Sequence, residues 1–114
     1  MAFTAARLNA AVDAALTGAT HIQAHTGAPG GSGTSNVATN HSRAALSGVG
    51  SASGGIDTIT ASITFTGPSG GAVTHFSLWT ASTAGTFMGD GTLTPNESFA
   101  GAGTLAVSIP VTAT

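Results

Sequence analysis

The sequence predicts a mainly β protein: an antiparallel β-sandwich or barrel with one N-terminal α-helix. Apolar and hydroxyl residues alternate along several segments of the C-terminal half, which is the period of a half-buried strand. Turns rich in glycine and proline separate these segments at intervals of about 8 to 18 residues, which is typical of all-β domains. Near the N-terminus, apolar residues instead recur with the period of a helix. With 114 residues, the chain is expected to form a single domain, residues 1–114, with its own core.

The predicted helix covers residues 4–17. Thr4 is suited to cap its start, and Gly18 lies where a left-handed residue commonly ends a helix. The apolar stripe is narrow and rich in alanine, so the helix must dock closely, either on its own sheet or on a neighbouring subunit. The large side chains of this stripe, which we take as docking residues, are Leu8, Val12 and Leu16.

A short strand is predicted at residues 20–26, with Ile22 and Ala24 on one face and His21 and His25 on the other. The next segment, residues 27–55, is rich in glycine, serine and alanine, so it is predicted to be irregular. Two alternatives stay open for this segment. Part of it pairs as an irregular edge strand, or it is disordered outside an assembly.

The β-strand region, residues 56–114, shows the clearest alternation. Four strands are predicted there, at residues 58–66, 73–80, 86–94 and 105–111. In the second of them, Phe76 and Leu78 face one side, and His75, Ser77 and Trp79 face the other. A loop is predicted at residues 95–97, and Pro110 predicts that the last strand lies at a sheet edge or ends early.

Charge is scarce in this chain. Lysine is absent. All the full charges are on two arginines and four acidic residues: Arg7, Arg43, Asp13, Asp57, Asp90 and Glu97. A soluble domain usually devotes about a quarter of its residues to charge. An exterior of threonine, serine, alanine and glycine instead suits a protein whose faces are covered by other copies or other subunits. The composition therefore predicts a component of an assembly.

The same composition excludes several kinds of partner. Because lysine is absent and the net charge is −2, we expect no nucleic-acid partner and no polybasic membrane anchor. No segment approaches the roughly 20 apolar residues of a membrane span, so membrane insertion is not expected. The N-terminal segment lacks the long apolar run of a signal peptide, so folding in a cytoplasm is expected. The chain has no cysteine, which excludes disulfides and thiolate metal sites.

Four histidines raise the question of a metal site. His21 and His25 are four residues apart, but in a strand that spacing separates them by about 13 Å, at about 3.3 Å per residue. His41 and His75 have no acidic residue at a recognised ligand spacing. We therefore expect no metal and interpret these histidines as solvent-facing or interface residues.

Nothing in the sequence indicates catalysis or a cofactor. There is no nucleophile-elbow motif, the four acidic residues show no pairing, and the glycine runs match neither phosphate-binding fingerprint. Trp79 is the only tryptophan and offers a ring on which a sugar stacks, with a core or interface role as the alternative. We expect no catalytic, metal or cofactor-binding residues.

Three sequence segments carry a family resemblance. They are THIQAHTGAPG at residues 20–30, followed by Ser-Asn-Val at 35–37; VTHFSLW at 73–79; and GTFMGDGTL at 85–93. In this order, after an alanine-rich helix, they resemble a family of small bacteriophage and prophage proteins described as tail-fibre or minor tail proteins. The resemblance covers nearly the whole chain. The chain departs from the family pattern at residues 40–55, where the family leads us to expect an aromatic residue and a tighter strand.

The resemblance implies a non-enzymatic virion structural protein of the phage tail, assembled in the host cytoplasm. Its partners would be copies of itself, for example in a trimer, and other virion proteins, with the helix and segment 27–55 as docking elements. One alternative is a capsid decoration protein on the phage head. Another is a module that binds host cell-wall glycan. The residues expected at an interface or against a glycan are Trp79, His75, His21 and His25.

Overall fold

The computed structural model describes residues 3–112, without the side chains of residues 94–96. It contains one helix and six strands: α1 (Ala5–Leu16), β1 (His21–His25), β2 (Ala44–Ala45), β3 (Ile56–Phe65), β4 (Ala72–Trp79), β5 (Phe87–Ser98) and β6 (Gly103–Thr112). The predicted mainly β class with an N-terminal helix is confirmed.

The strands form two antiparallel sheets. One has the order β2-β1-β4-β5, and the other pairs β3 with β6 along their full length. Apolar side chains from both sheets and from α1 meet in one core, in which Ile22, Ile59 and Ile63 are fully buried. Burial of such side chains supplies most of the free energy that holds the sheets together.

Helix α1 packs on β3 of its own chain, with Val12 and Leu16 buried. The Thr4 hydroxyl accepts a hydrogen bond from the Arg7 amide at 3.4 Å, and Gly18 has a φ of +88°, which are the expected features at the two ends. The helix begins and ends within one residue of the predicted bounds.

Segment 27–55 is folded against the rest of the chain. Strand β2 and single-residue bridges to β1 and β3 interrupt it. The buried Asp57 carboxylate accepts hydrogen bonds from the amides of Gly50 at 3.0 Å and Ser51 at 3.4 Å. From α1, Asp13 accepts the Ala52 amide in the same way. Polar side chains of regular elements therefore hold a segment that has little apolar patterning of its own.

The prediction of a loop at residues 95–97 is wrong. Strand β5 continues through it to Ser98, which pairs with Ala72. The register shifts between Val73 and His75, so that extra residues of β5 are accommodated opposite one residue of β4. Such a bulge at a sheet edge tolerates a proline, which is why Pro95 does not end the strand.

Candidate functional site

Register places three of the four histidines, His21, His25 and His75, on one face of the first sheet. His21 pairs with Trp79 and His25 pairs with His75 across the β1–β4 ladder. Gln23 lies between them, opposite Ser77. Paired residues of neighbouring strands point to the same side, so all these side chains share a face, as the alternation predicts. This face is opposite to the one that carries Ile22 and Ala24.

Segment 27–43 covers this polar face. The Ala38 amide donates to the Ala24 carbonyl at 3.0 Å, which continues the pairing of β2 along the same edge of β1. Gly33 packs directly on the ring of Phe87, where a Cβ atom would collide. Gly33 has a φ of +75° and the contact leaves no room for a side chain, so the position requires glycine on two counts. Both faces of β1 and β4 are therefore partly enclosed.

His25 lies at the centre of a buried hydrogen-bonded chain. Its Nδ1 is 2.8 Å from the Ser35 carbonyl oxygen, and its Nε2 is 2.7 Å from the Ser77 hydroxyl. A carbonyl oxygen only accepts, so Nδ1 carries the proton, and Ser77 donates to Nε2. The Trp79 indole N–H donates to the same Ser77 oxygen at 2.7 Å. The neutral imidazole thus satisfies every polar atom of the chain.

Burial lowers the pKa of His25 below its ordinary value of 6.5, and the Ser35 carbonyl partly opposes that effect. A proton on Nε2 would also compete with the Ser77 hydroxyl for the same position. His41 is half-buried, and its Nδ1 atom has no hydrogen-bond partner among the described residues. Its Nε2 accepts the Ala24 amide at 3.0 Å, its ring lies on that of Phe65, and burial lowers its pKa.

The distance between Ser77 and His25 is that of a nucleophile and its general base, but their surroundings are not those of an active site. Both side chains are 0% exposed, so a substrate has no path to the Ser77 oxygen. The group that orients the imidazole is a backbone carbonyl rather than a carboxylate. This arrangement stabilises the packing of segment 27–43 on the sheet and is not set up for acyl transfer.

Trp79 is 5% exposed, and its ring faces are in contact with protein. The Arg43 guanidinium lies 3.7 Å from the ring centroid, and the ring of Phe87 lies at 5.5 Å. Arg43 Nη1 also donates to the carbonyls of Ala81 at 3.1 Å and Ala84 at 2.7 Å. Arg43 therefore joins segment 27–43 to the β4–β5 turn, and a sugar could stack on Trp79 only if Arg43 moved away.

His21 and His75 are half-buried and share a local motif. The Nδ1 atom of each ring lies 2.8 Å from the hydroxyl of the preceding threonine, Thr20 or Thr74. Within residues 3–112, no three histidine or acidic side chains are grouped so that they could hold a metal ion. The two rings are separated along the sheet and do not form one site.

The helix residues named as docking residues face the chain itself. Val12 and Leu16 lie in the core, and the Leu8 side chain contacts Gly55. A further subunit would have to contact another face of α1. Arg43, Ser77 and Asp57, which organise the irregular segment, were not singled out from the sequence, because their partners are distant in the chain.

One side of the molecule is open, between β5 and β6. A groove of about 250 Å³ runs along it, and its floor includes the half-buried side chains of Leu93 and Ile109. Strand β5 ends the first sheet, and β6 pairs only with β3 in the second. Pro110 predicted that the last strand lies at an edge or ends early, and β6 does lie at an edge.

The hydrogen bonds along the edge of β3 that faces away from β6 show which main-chain N–H and C=O groups of β6 point to its free edge. Thr60 exchanges both main-chain hydrogen bonds with Ser47, and Ile56 exchanges both with Ser53. Even-numbered residues of β3 therefore direct their main-chain groups away from β6. Their partners on β6 are also even-numbered, and in an antiparallel ladder those groups point to the free edge.

No helix in residues 3–112 is long and apolar enough to cross a membrane. No curated protein and no solved structure compared with the chain matches it. One family model does match, that of the Podophage GP4 fiber I protein gp80, and the match covers residues 4–112. It spans the helix and all six strands, and it confirms the resemblance to phage tail-fibre proteins. The chain belongs to this fiber I protein family of phage structural proteins.

Proposed function

We propose that this chain is a non-enzymatic component of the phage tail that acts by assembling with copies of itself and with neighbouring virion proteins. The family match over residues 4–112 carries this proposal, since it concerns a fibre protein and covers all the elements of the fold. Within this proposal, the protein folds in the host cytoplasm, where a chain without cysteine loses nothing to reducing conditions.

The outward face of the second sheet supports assembly. The side chains that β3 and β6 turn away from the core are exposed and almost all are hydroxyl-bearing or small; they include Thr58, Thr60, Thr64, Thr104 and Ser108. A subunit that covers this face buries no charged side chain. Burying an unpaired charge would cost on the order of several kcal/mol. The surface is therefore suited to repeated contacts.

The hydrogen-bonded chain through His25 supports a structural role in another way. Ser77 and His25 are the best placed pair for chemistry in this molecule, and the fold uses them to fix segment 27–43 instead. Rigid, fully satisfied polar groups of this kind specify one packing arrangement. A fibre component that repeats the same contact many times needs such a defined shape.

Multi-angle light scattering on the purified full chain tests the assembly proposal. At micromolar concentration we expect the molar mass of two or more chains, each of 10.8 kDa. A mass of one chain at every concentration up to hundreds of micromolar would contradict self-assembly. Arg43→Lys serves as a matched control, because it changes the β4–β5 turn without altering the outward faces of β3 and β6.

A further inference from the structure

The edges that β5 and β6 form differ in how well they are protected against pairing with another strand. Strand β5 carries the charges of Asp90 and Glu97, a register shift and Pro95. Charges, bulges and prolines are the devices by which edge strands avoid adding another strand. Strand β6 is ten residues long and regular, carries no charge, and has Pro110 as its one such device. The β6 edge is therefore the more open template.

Register shows where Pro110 acts. It pairs with Thr58, whose main-chain groups point away from β6, so the ladder inside the protein loses no hydrogen bond. The missing N–H belongs to the free edge. From the β5–β6 turn up to that position, the outward groups are the amides and carbonyls of Thr104, Ala106 and Ser108. Within residues 3–112, no main-chain group bonds to them.

We propose that this edge, residues 104–108 of β6, pairs with the same edge of a second copy in an antiparallel arrangement centred on Ala106. The inference rests on the proposed function, since it names where two copies meet. Thr104 of one copy would exchange hydrogen bonds with Ser108 of the other, and Ala106 with Ala106, for about six new bonds in all. The two β3–β6 pairs would then form one four-stranded sheet.

The occupant is a second copy because the edge is complementary to itself. Its outward groups are placed symmetrically about Ala106, so the same segment running antiparallel matches every donor with an acceptor. The side chains at 104, 106 and 108 are small, exposed and uncharged, so two such strands meet without repulsion. They also offer no charge by which a different partner would be selected. Pro110 limits the pairing on both copies.

This contact joins chains in pairs, so the copy number would be even, unlike that of the trimer named above as an example. The contact is isologous and closes on itself, which leaves β5 and α1 free for other virion proteins.

Amide hydrogen exchange on the unaltered full chain tests the proposal directly. We expect the amides of Ala106 and Ser108 to exchange at least about tenfold more slowly at assembling concentrations than after dilution to single chains. The Leu105 and Val107 amides point into the ladder with β3 and should stay protected at both concentrations. They are the internal control for folding.

A cysteine pair adds a second readout, because the natural chain has none. Hydrogen-bonded antiparallel partners have Cα atoms about 5.5 Å apart, within the range of a disulfide. Ala106→Cys should therefore give a covalent pair on mild oxidation, and Ala11→Cys, exposed on α1, should not.

The outcomes separate this inference from the function on which it rests. Larger masses with fast exchange at Ala106, a trimer, or no more crosslinking through Ala106→Cys than through Ala11→Cys would overturn the β6 contact and leave self-assembly standing. A single-chain mass throughout would overturn both. An even-numbered assembly with slow exchange at Ala106 and crosslinking through Ala106→Cys would support both.

Discussion

The Ser77 hydroxyl lies 2.7 Å from Nε2 of His25, and both side chains are fully buried. The pair joins two parts of the chain 52 residues apart and fixes the tautomer of the imidazole. Through the Ser35 carbonyl it also fixes the irregular segment that covers the sheet. This contact explains why a glycine-rich segment has a defined path.

Ser77→Ala should destabilise the protein. The substitution leaves Nε2 of His25 and the indole N–H of Trp79 buried without partners, and each such group costs about 1–3 kcal/mol. Urea unfolding followed by circular dichroism measures the loss. Ser62→Ala, on the exposed face of β3, is the matched control and should change the free energy of unfolding by less than about 0.5 kcal/mol. Equal effects of the two substitutions would contradict the buried network.

Acid should weaken the fold. Burial lowers the folded-state pKa of His25 and of His41 below 6.5, so the unfolded chain binds more protons than the folded one as the pH falls below that value. The stabilisation from these neutral histidines is present above pH 6.5 and is lost as the pH falls towards and through their folded pKa values. Each coupled proton contributes a slope of up to about 1.4 kcal/mol per pH unit.

Urea unfolding at several pH values between 7.5 and 5 measures that slope, and imidazole NMR signals report which histidine titrates. His25→Gln should give a shallower slope, because it removes one of the two groups. A stability that is constant or rises on acidification through this window would contradict the assignment of neutral buried imidazoles.

Asp57→Ala should release residues 50 and 51. The carboxylate is 1% exposed and accepts both of their amides, and the loss of hydrogen bonds to a charged group costs about 1.5–3 kcal/mol. Faster exchange of the Gly50 and Ser51 amides would show the release. Asp57→Asn keeps one acceptor oxygen and should have the smaller effect. If exchange at Gly50 is unchanged in the alanine variant, the carboxylate does not hold this turn.

Arg43→Ala should loosen the β4–β5 turn and expose Trp79. The guanidinium covers the indole, and its Nη1 donates to two turn carbonyls, so the alanine variant loses both contacts. Tryptophan fluorescence should shift to longer wavelength and become more accessible to a soluble quencher. Arg7→Ala, at an exposed position on α1, is the charge-matched control and should leave the spectrum unchanged.

Local patterns predicted the regular elements well. The helix and the alternation in β3 and β6 depend on neighbours in sequence, so periodicity shows them directly, and Pro110 indicated the edge position of β6. Two findings depended on distant residues. Pro95 lies in a bulged strand because Val73 pairs beyond it, and the polar face of β4 is buried because Ser35 returns over it. The roles of Ser77 and Asp57 follow from such returns and leave no periodic signal.

This chain belongs to a phage fiber I protein family, and we propose that it is an assembled part of the phage tail. Gold-labelled antibody against the chain, applied to intact particles from the source culture, tests that claim most directly. Label along the tail or at its tip, in several copies per particle, is the predicted result. Label spread over the head, as for a capsid decoration protein, or particles without label alongside free antigen, would contradict it.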